Sequence, residues 1–255
     1  MLAPPAQGAT GILALGDFGV GGKRQRAVGA AVRAFEERNP ANLLVTLGDN
    51  DYTRGRTFVS SWRSSFGWLP GAGVDVAGAL GNHDVQVRNG RYEFRLLRMP
   101  APYYVRRVNE VEVIVLDSTA VTRTQTRWLE RTLAQRTGFR RIVVFHHPPY
   151  TCGGHLGSTA IQRLWVPLFE RYGVRLVLNG HDHNYQRFVQ RGVTYVVHGG
   201  GGARLYRLRG CPRSYPTRVA ARVAHGFLYI TVEADGFLVR AVRLDGRTID
   251  EVRVT

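Results

Sequence analysis

An α/β fold is predicted for this chain by three features of its sequence. Short β-branched runs alternate with amphipathic segments, the runs end in polar clusters, and a 44% hydrophobic content over 255 residues suffices for one substantial core. A chain of this length with this pattern is expected to form a single domain over residues 1–255.

In chain order, the predicted strands are Gly11 to Leu15 before Gly16-Asp17, Leu43 to Leu47 before Gly48-Asp49, and Val76 to Leu80 before Gly81-Asn82. Val111 to Leu116 before Asp117, Ile142 to Phe145 before His146, and Leu176 to Leu178 before Gly180-His181 follow. Ligand sites of open α/β sheets form at the carboxyl ends of strands, so these clusters are expected to converge. A helix is predicted from about Gln25 to Arg38, with Val28, Val32 and Phe35 on one face and Pro40 just beyond its end. A second, near Thr124 to Gln135, gathers Trp128, Leu129 and Leu133, and a third, Ile161 to Tyr172, gathers Ile161, Leu164, Trp165 and Leu168 before Gly173. After Val193 the pattern turns to strand pairs, Phe227 to Val232 and Phe237 to Val242, with Asp235-Gly236 as a tight-turn signal. This tail is expected to form a second sheet. Four consecutive glycines, Gly199 to Gly202, favour a loop where backbones approach closely.

The formal charge of +16 comes from 35 basic against 19 acidic residues, and Lys23 is the only lysine. Such a field attracts phosphorylated or otherwise anionic ligands, but no nucleic-acid reader motif is visible, so no specific nucleic-acid partner is predicted. Cys152 and Cys211 are the only cysteines, without a Cys-x-x-Cys spacing, so thiol chemistry is not the expected function. Whether they pair or stay free is open at this level, since pairing needs a distance. Met1-Leu-Ala-Pro-Pro lacks the charged and apolar segments of a secretory leader, and no apolar run is long enough to cross a bilayer. No membrane partner is expected. The location predicted is secreted or periplasmic with a leader outside this sequence, with cytoplasmic as the alternative.

The strand ends present Asp17, Asp49, Asn82, His146, His181 and His183, all oxygen or imidazole-nitrogen donors and none a thiolate. This is a hard-to-borderline metal set. It exceeds the three or four ligands of one zinc ion and suits two neighbouring ions if one carboxylate bridges them. A single Gly-Asp pair after a strand is more often a turn or cap, so the weight lies on the ordered series.

That series, Asp17-Phe18-Gly19, Gly48-Asp49-Asn50-Asp51-Tyr52, Gly81-Asn82-His83-Asp84, Val143-Val144-Phe145-His146 and Gly180-His181-Asp182-His183, resembles the five signature blocks of purple acid phosphatases. These belong to the calcineurin-like metallophosphoesterase superfamily. The resemblance spans roughly Gly11 to Arg187 and includes linking text at Thr124 to Leu129 and Trp165 to Asn184. It is to the small, tartrate-resistant type, since the long amino-terminal β domain of the large enzymes is missing. The resemblance implies a four-layer α/β/β/α sandwich with two mixed sheets flanked by helices. It implies Asp17, Asp49, Tyr52 and His183 on a first metal, usually Fe(III), and Asp49, Asn82, His146 and His181 on a second, which is Fe, Zn or Mn. Many other metallophosphoesterases have Asp-x-His in the first block, where this chain has Asp17-Phe18-Gly19, and Tyr52 stands three residues after Asp49. Both features select the purple branch.

The activity this implies is hydrolysis of phosphate monoesters of small molecules or peptides, releasing inorganic phosphate, with a metal-bound hydroxide as nucleophile. The alternative is a phosphodiesterase or nuclease on the same metals, and a non-catalytic phosphate- or nucleic-acid-binding protein ranks third. A leaving alkoxide needs imidazoles that are not ligands. His83, beside Asn82, and His155, nine residues after His146, are the candidates, with Asp84 expected to orient His83. His147 is expected to be structural or to support a ligand, Asp117 to cap, and His198 and His225 to lie in loops or on the surface. Arg187 and Arg204 are candidates to face a phosphate.

Overall fold

The computed structural model describes residues 9–255. Met1-Leu-Ala-Pro-Pro, whose composition bears on a leader, lies outside the described residues. The order begins β1 (Gly11–Leu15), α1 (Gly22–Glu36), β2 (Leu43–Thr46), α2 (Phe58–Phe66), β3 (Asp75–Gly78) and α3 (Arg91–Leu96). It continues with β4 (Tyr104–Val108), β5 (Val111–Val115), α4 (Arg123–Ala134), β6 (Arg140–Val144), α5 (Thr159–Leu164), α6 (Val166–Arg171) and β7 (Leu176–Asn179). It ends with β8 (Tyr185–Gln190), β9 (Val193–His198), β10 (Arg218–Arg222), β11 (Gly226–Glu233), β12 (Gly236–Arg243) and β13 (Thr248–Val254).

These strands form two mixed sheets, ordered β13-β12-β11-β1-β2-β3 and β10-β8-β9-β7-β6-β5-β4. The predicted strand runs divide between them: β1, β2 and β3 pair in parallel in the first, and β5, β6 and β7 in the second. Strand β5 shows why they stack. Val111, Val113 and Val115 join the core between the sheets, while Ile114 faces the other way with Leu129 of α4, Ile161 of α5, Trp165 at the α5–α6 junction and Phe169 of α6. A strand buried on both faces needs a sheet on one side and helices on the other, which is the β/α half of the sandwich. The opposite half is closed by α1, whose Phe35 ring meets Phe227 and Tyr229 edge-on at 5.3 and 5.2 Å. Helices therefore flank both sheets, as the four-layer prediction requires.

Three expectations are corrected. The tail strands do not make a second sheet: β11 pairs antiparallel with β1, so β11, β12 and β13 extend the first one. The helix read from Ile161 to Tyr172 is two helices broken at Trp165. Pro167 is the cause, because it lacks the N–H of the ladder and its ring crowds the preceding turn, while fitting the first turn of a new helix. The β11–β12 turn is Ala234-Asp235, with Glu233 opposite Gly236. Strands β4, β8, β10 and β13 and helix α2 carried no clear periodic signal of their own.

Cys152 and Cys211 form a disulfide across 59 residues, with their Cα atoms 5.2 Å apart. The sheets are also tied by polar contacts. From β8, Tyr185 donates to Asp250 Oδ2 of β13 at 2.6 Å and Arg187 donates to the same oxygen at 2.7 Å. Arg187, expected near a phosphate, thus serves as a structural partner. Among the described residues, no helix is long and apolar enough to cross a membrane.

Replacing Asp250 with alanine leaves a nearly buried guanidinium and a tyrosine hydroxyl without their acceptor, and is expected to cost about 2–3 kcal/mol in urea unfolding near neutral pH. Burial alone would raise the Asp250 carboxyl, but its bonds from Arg187 and Tyr185 outweigh this and hold it below the ordinary 3.8. Its contribution is therefore complete above that value and is lost as pH falls through the lowered folded value. The gap between wild type and Asp250→Ala should narrow as pH is taken below 3.8.

Candidate functional site

The strand ends of both sheets meet at one seam. Asp17 follows β1, Asp49 follows β2 and Asn82 follows β3, while His146 follows β6 and His181 and His183 follow β7. Cross-sheet bonds hold the seam: His181 N donates to Asp17 Oδ2 at 2.8 Å, and His146 Nδ1 lies 2.9 Å from Leu47 O. Within the sheets, Asp17 N donates to Gly48 O at 3.0 Å and Gly180 N to His146 O at 3.1 Å.

Backbone geometry turns the side chains inward. Asp17, Asp49 and His181 all have left-handed φ, at 60°, 51° and 70°. Asp and His tolerate this region better than most residues, and such strain concentrates at functional sites. Two glycines make room. A Cβ on Gly81 would stand 2.2 Å from Asp49 Oδ1, and one on Gly180 would stand 2.6 Å from Asp17 Oδ2.

Two groups of donors result. In the first, Tyr52 donates its hydroxyl to Asp17 Oδ1 at 3.0 Å, and the Tyr52 oxygen lies 3.1 Å from His183 Nε2, which is itself 3.2 Å from Asp17 Oδ1. In the second, His146 Nε2 is 3.2 Å from Asn82 Oδ1, 3.5 Å from Asp49 Oδ2 and 3.3 Å from His181 Nδ1. Adjacent donors on an octahedral ion with bonds of about 2.1 Å stand about 3.0 Å apart, so these edges have the scale of a coordination shell. One donor atom from each of Asp17, Asp49 and His146 lies within 4.8 Å of the other two, which brings the groups side by side.

The protons already committed sharpen the fit. His183 Nδ1 donates to Arg204 O at 2.8 Å and His146 Nδ1 donates to Leu47 O, so in the neutral rings both Nε2 atoms carry lone pairs facing oxygen acceptors. A proton on Nε2 can answer one such contact, whereas His146 Nε2 faces two oxygens and His181 Nδ1. A cation satisfies them together. Asp17 and His146 are fully buried and Asp49 nearly so, which makes unanswered charge expensive.

Titration reflects this crowding. Burial raises the Asp17 carboxyl, with His146 and His183 only partly offsetting it, whereas at Asp49 the effect of burial is overcome by His146 and the value falls below the usual range. Burial opposes protonation of His146, yet Asp49 and Asp17 carry it up to about 9. His181 is driven down to about 2 by burial and by His146, His147 and His155, so it stays a neutral donor. Burial and the Asp17 and Asp49 charges push the Tyr52 phenol far upward, an order that only a strong cation reverses.

The non-ligand candidates fare differently. His83 packs at a tilt against Tyr52 with ring centroids 4.3 Å apart, places Nε2 4.0 Å from Asp49 Oδ2 and is partly exposed. His155 stacks on His181 at 4.2 Å, and its Nδ1, 4.0 Å from Asp182 Oδ1, is buried without a hydrogen-bond partner among the described residues. Asp84 does not orient the His83 ring. Its carboxylate accepts from Asn50 Nδ2 and Gly81 N at 2.8 Å and from Asp51 N at 3.0 Å, so it braces the loops that carry Asp49 and Asn82.

His147 bonds Ser118 at 3.0 Å and, with His146 and His181, forms a trio of donors within 4.8 Å. Asp117 accepts from Thr119 N at 2.9 Å, a turn-capping role as expected. His198 is not in a surface loop but fully buried at the end of β9, where burial lowers it to about 4. Two residues were missed. Asp182, fully buried between the two donors of its block, holds Thr151, Gln186 and Gly154 N, the last at 2.8 Å. Tyr206 stacks on His183 at 4.1 Å and 11°. Asp182 was signalled by its place in the block; Tyr206, in an irregular segment, had no local signal.

A family model described as calcineurin-like phosphoesterase matches residues 10–185. Tartrate-resistant acid phosphatase type 5 of Oryctolagus cuniculus is 25% identical over 307 residues, covering 100% of this chain and 94% of that protein. Purple acid phosphatase 7 of Arabidopsis thaliana is 24% identical over 241 residues, covering 79% of this chain and 73% of that protein. Among solved structures, purple acid phosphatase PPD1 from yellow lupin (Lupinus luteus) seeds has a TM-score of 0.78 at 18% identity, covering 98% of this chain and 54% of that one. GAP50, the anchor in the inner membrane complex of Plasmodium, has a TM-score of 0.80 at 17% identity, covering 97% of this chain and 89% of that one. These two likenesses show the fold.

Gly81→Ala is expected to push the new methyl into Asp49, at a cost of about 1–3 kcal/mol, and to reduce metal retained after dialysis at least tenfold. Elemental analysis measures the metal, and an unchanged far-ultraviolet circular dichroism spectrum separates displacement of Asp49 from unfolding.

Proposed function

We propose, from the premise that the chain belongs to the calcineurin-like phosphoesterase family, that this metal-dependent phosphoesterase is a binuclear phosphate monoesterase of the purple acid phosphatase kind. The observation that carries the proposal is the pair of donor groups at one seam, with oxygen and imidazole-nitrogen atoms 3.0 to 3.5 Å apart. Asp17, Tyr52 and His183 with Asp49 would hold a first ion, ferric iron by its phenolate ligand. Asn82, His146 and His181 with Asp49 would hold a second, iron, zinc or manganese.

Bound there, paired cations lower the pKa of a coordinated water and neutralise charge on phosphoryl oxygens. The chain's own residues do the rest. His146 and His183, fixed by the carbonyls of Leu47 and Arg204, keep their Nε2 atoms aimed at the seam. As the oxygen of water attacks phosphorus in line, the ester P–O bond breaks and the leaving oxygen takes a proton. The imidazoles of His155 and His83, partly exposed at the rim, would supply it. Inorganic phosphate and an alcohol are the products. The Cys152–Cys211 disulfide fits an oxidising compartment and supports a secreted or periplasmic location.

Purified protein should contain about two metals per chain including iron, absorb broadly in the visible, and hydrolyse p-nitrophenyl phosphate. Metal content without iron or colour would leave the phosphoesterase but reject the purple kind, and a protein that takes up no metal and stays inactive would reject the whole reading. Asp49→Ala is expected to lose metal and activity together. His155→Ala is expected to retain metal and to lower kcat roughly 10²-fold, more for phenyl phosphate than for the p-nitrophenyl ester, whose oxygen leaves without a proton. Tyr52→Phe is expected to bleach the visible band.

A further inference from the structure

Asp182 is fully buried, yet the groups that bond its carboxylate are neutral. Oδ1 accepts from Gly154 N at 2.8 Å, and Oδ2 accepts from Gln186 Nε2 at 3.0 Å and from the Thr151 hydroxyl. Its neighbours His181 and His183 face the seam, whereas its own carboxylate faces the loop from Thr151 to His155. Enclosing a carboxylate among neutral donors costs free energy, so an aspartate in this place calls for a use of its charge. The ionisable side chain beside it on that loop is His155, whose Nδ1 lies 4.0 Å from Oδ1.

The loop is built to keep that approach. A Cβ on Gly153 would stand 2.4 Å from Asp182 Oδ2, and one on Gly154 would stand 2.4 Å from the Tyr206 ring. The Gly153-Gly154 turn is thus pressed between carboxylate and ring, and it delivers the next residue, His155, to one place. The His155 ring stacks on His181 at 4.2 Å and 28° and meets Tyr206 at 5.3 Å. Its Nδ1 is buried without a hydrogen-bond partner among the described residues, while the side chain as a whole is 40% exposed, so the open edge is the one bearing Nε2. The 4.0 Å gap exceeds a hydrogen bond by about 1 Å, and contacts of this kind tighten when substrate binds.

We propose that Asp182 is a positioning residue for proton delivery to the leaving group, acting through His155. This rests on the phosphatase reading above. Asp182 holds the Gly153-Gly154 turn and accepts from Nδ1–H of His155, which leaves Nε2 directed at the substrate. When the ester P–O bond breaks, its electron pair stays on the leaving oxygen. The proton on Nε2 moves to that oxygen, and Nδ1 keeps its proton toward Asp182. Solvent at the exposed edge then restores the proton on Nε2. A fixed carboxylate behind an imidazole sets the tautomer and orientation of the ring that makes the transfer.

The test is a double-mutant cycle on Asp182 and His155 in the metal-loaded protein. It reads kcat and KM for phenyl phosphate, whose leaving oxygen needs a proton, and for p-nitrophenyl phosphate, whose oxygen does not. Asp182→Asn keeps the size of the side chain and is expected to retain metal. It should lower kcat about tenfold for phenyl phosphate and less than about threefold for the p-nitrophenyl ester, with KM within about twofold. In the His155→Ala background the same change should cost no more than about twofold. Equal losses on both esters, a loss that multiplies with that of His155→Ala, or an unchanged kcat overturns the proposal. If Asp182→Asn loses metal or fold, Thr151→Val takes its place, since it removes a donor to Oδ2 from outside the block that carries His181 and His183. A loss of about threefold on phenyl phosphate that vanishes with His155→Ala then upholds the proposal, and a loss kept in that background, or none, overturns it. If metal-loaded wild type hydrolyses neither ester, the phosphatase reading has failed. Nitrogen-15 NMR of the zinc-loaded protein then decides the positioning alone. A neutral His155 ring protonated at Nδ1 in wild type and shifted toward Nε2 protonation in Asp182→Asn upholds it, and the same tautomer in both overturns it.

Discussion

The rest of this structure depends on one constraint, the concentration of buried acceptors at the seam between the sheets. Asp17 and Asp49 are almost wholly removed from water, with His146 and His183 lone pairs turned toward oxygen atoms within 3.5 Å. Left to itself such a cluster would spread or take up protons, because charges brought close in a low-dielectric setting repel strongly. It stays assembled because each donor is fastened from behind. His181 N holds Asp17, the carbonyls of Leu47 and Arg204 hold the two imidazoles, and the Gly81 and Gly180 backbones lie too close for any side chain.

The two-sheet architecture makes that fastening possible. Carboxylate and amide donors come from the first sheet, imidazoles from the second, and each group reaches the seam only because its parallel strands end there. The stacked core fixes the separation of the sheets, since β5 and its neighbours are buried on both faces and have no freedom to slide. On the outside, Asp250 links β13 to β8 and so ties the edge of one sheet to the other.

A second layer surrounds the donors and shapes what they can act on. Asp182 draws in Thr151, Gly154 and Gln186, placing His155 over His181, while the segment from Ala203 to Cys211 is bonded to Asp17, His183 and Cys152. The rim is therefore built on the same atoms that position the centre. Through that shared frame Tyr206, although it lies in an irregular stretch, stacks on His183 and walls the centre.

Much of this was legible in one dimension. Each donor sits at a strand end inside a short polar block, so Asp17, Asp49, Asn82, His146, His181 and His183 could be read from local pattern, and the α/β class from alternation. Tyr52 needed the family resemblance, since an aromatic after a turn is ordinarily core. What the sequence left undetermined involved partners far away along the chain. Whether the tail built its own sheet depended on β11 finding β1, more than 200 residues earlier, and an alternating strand is compatible with either pairing. Asp84 looked placed to orient His83 because they are adjacent, but adjacent residues need not face each other, and its carboxylate found Asn50, Gly81 and Asp51 instead. Arg187 was captured by Asp250 and His198 was enclosed by the core for the same reason. The sequence by itself determined which chemistry the strand ends offer, because strand, turn and donor type are local properties of a few residues. Tertiary structure decided which of those groups share a cavity and which serve as scaffold, because pairing and burial are set by contacts between segments distant along the chain.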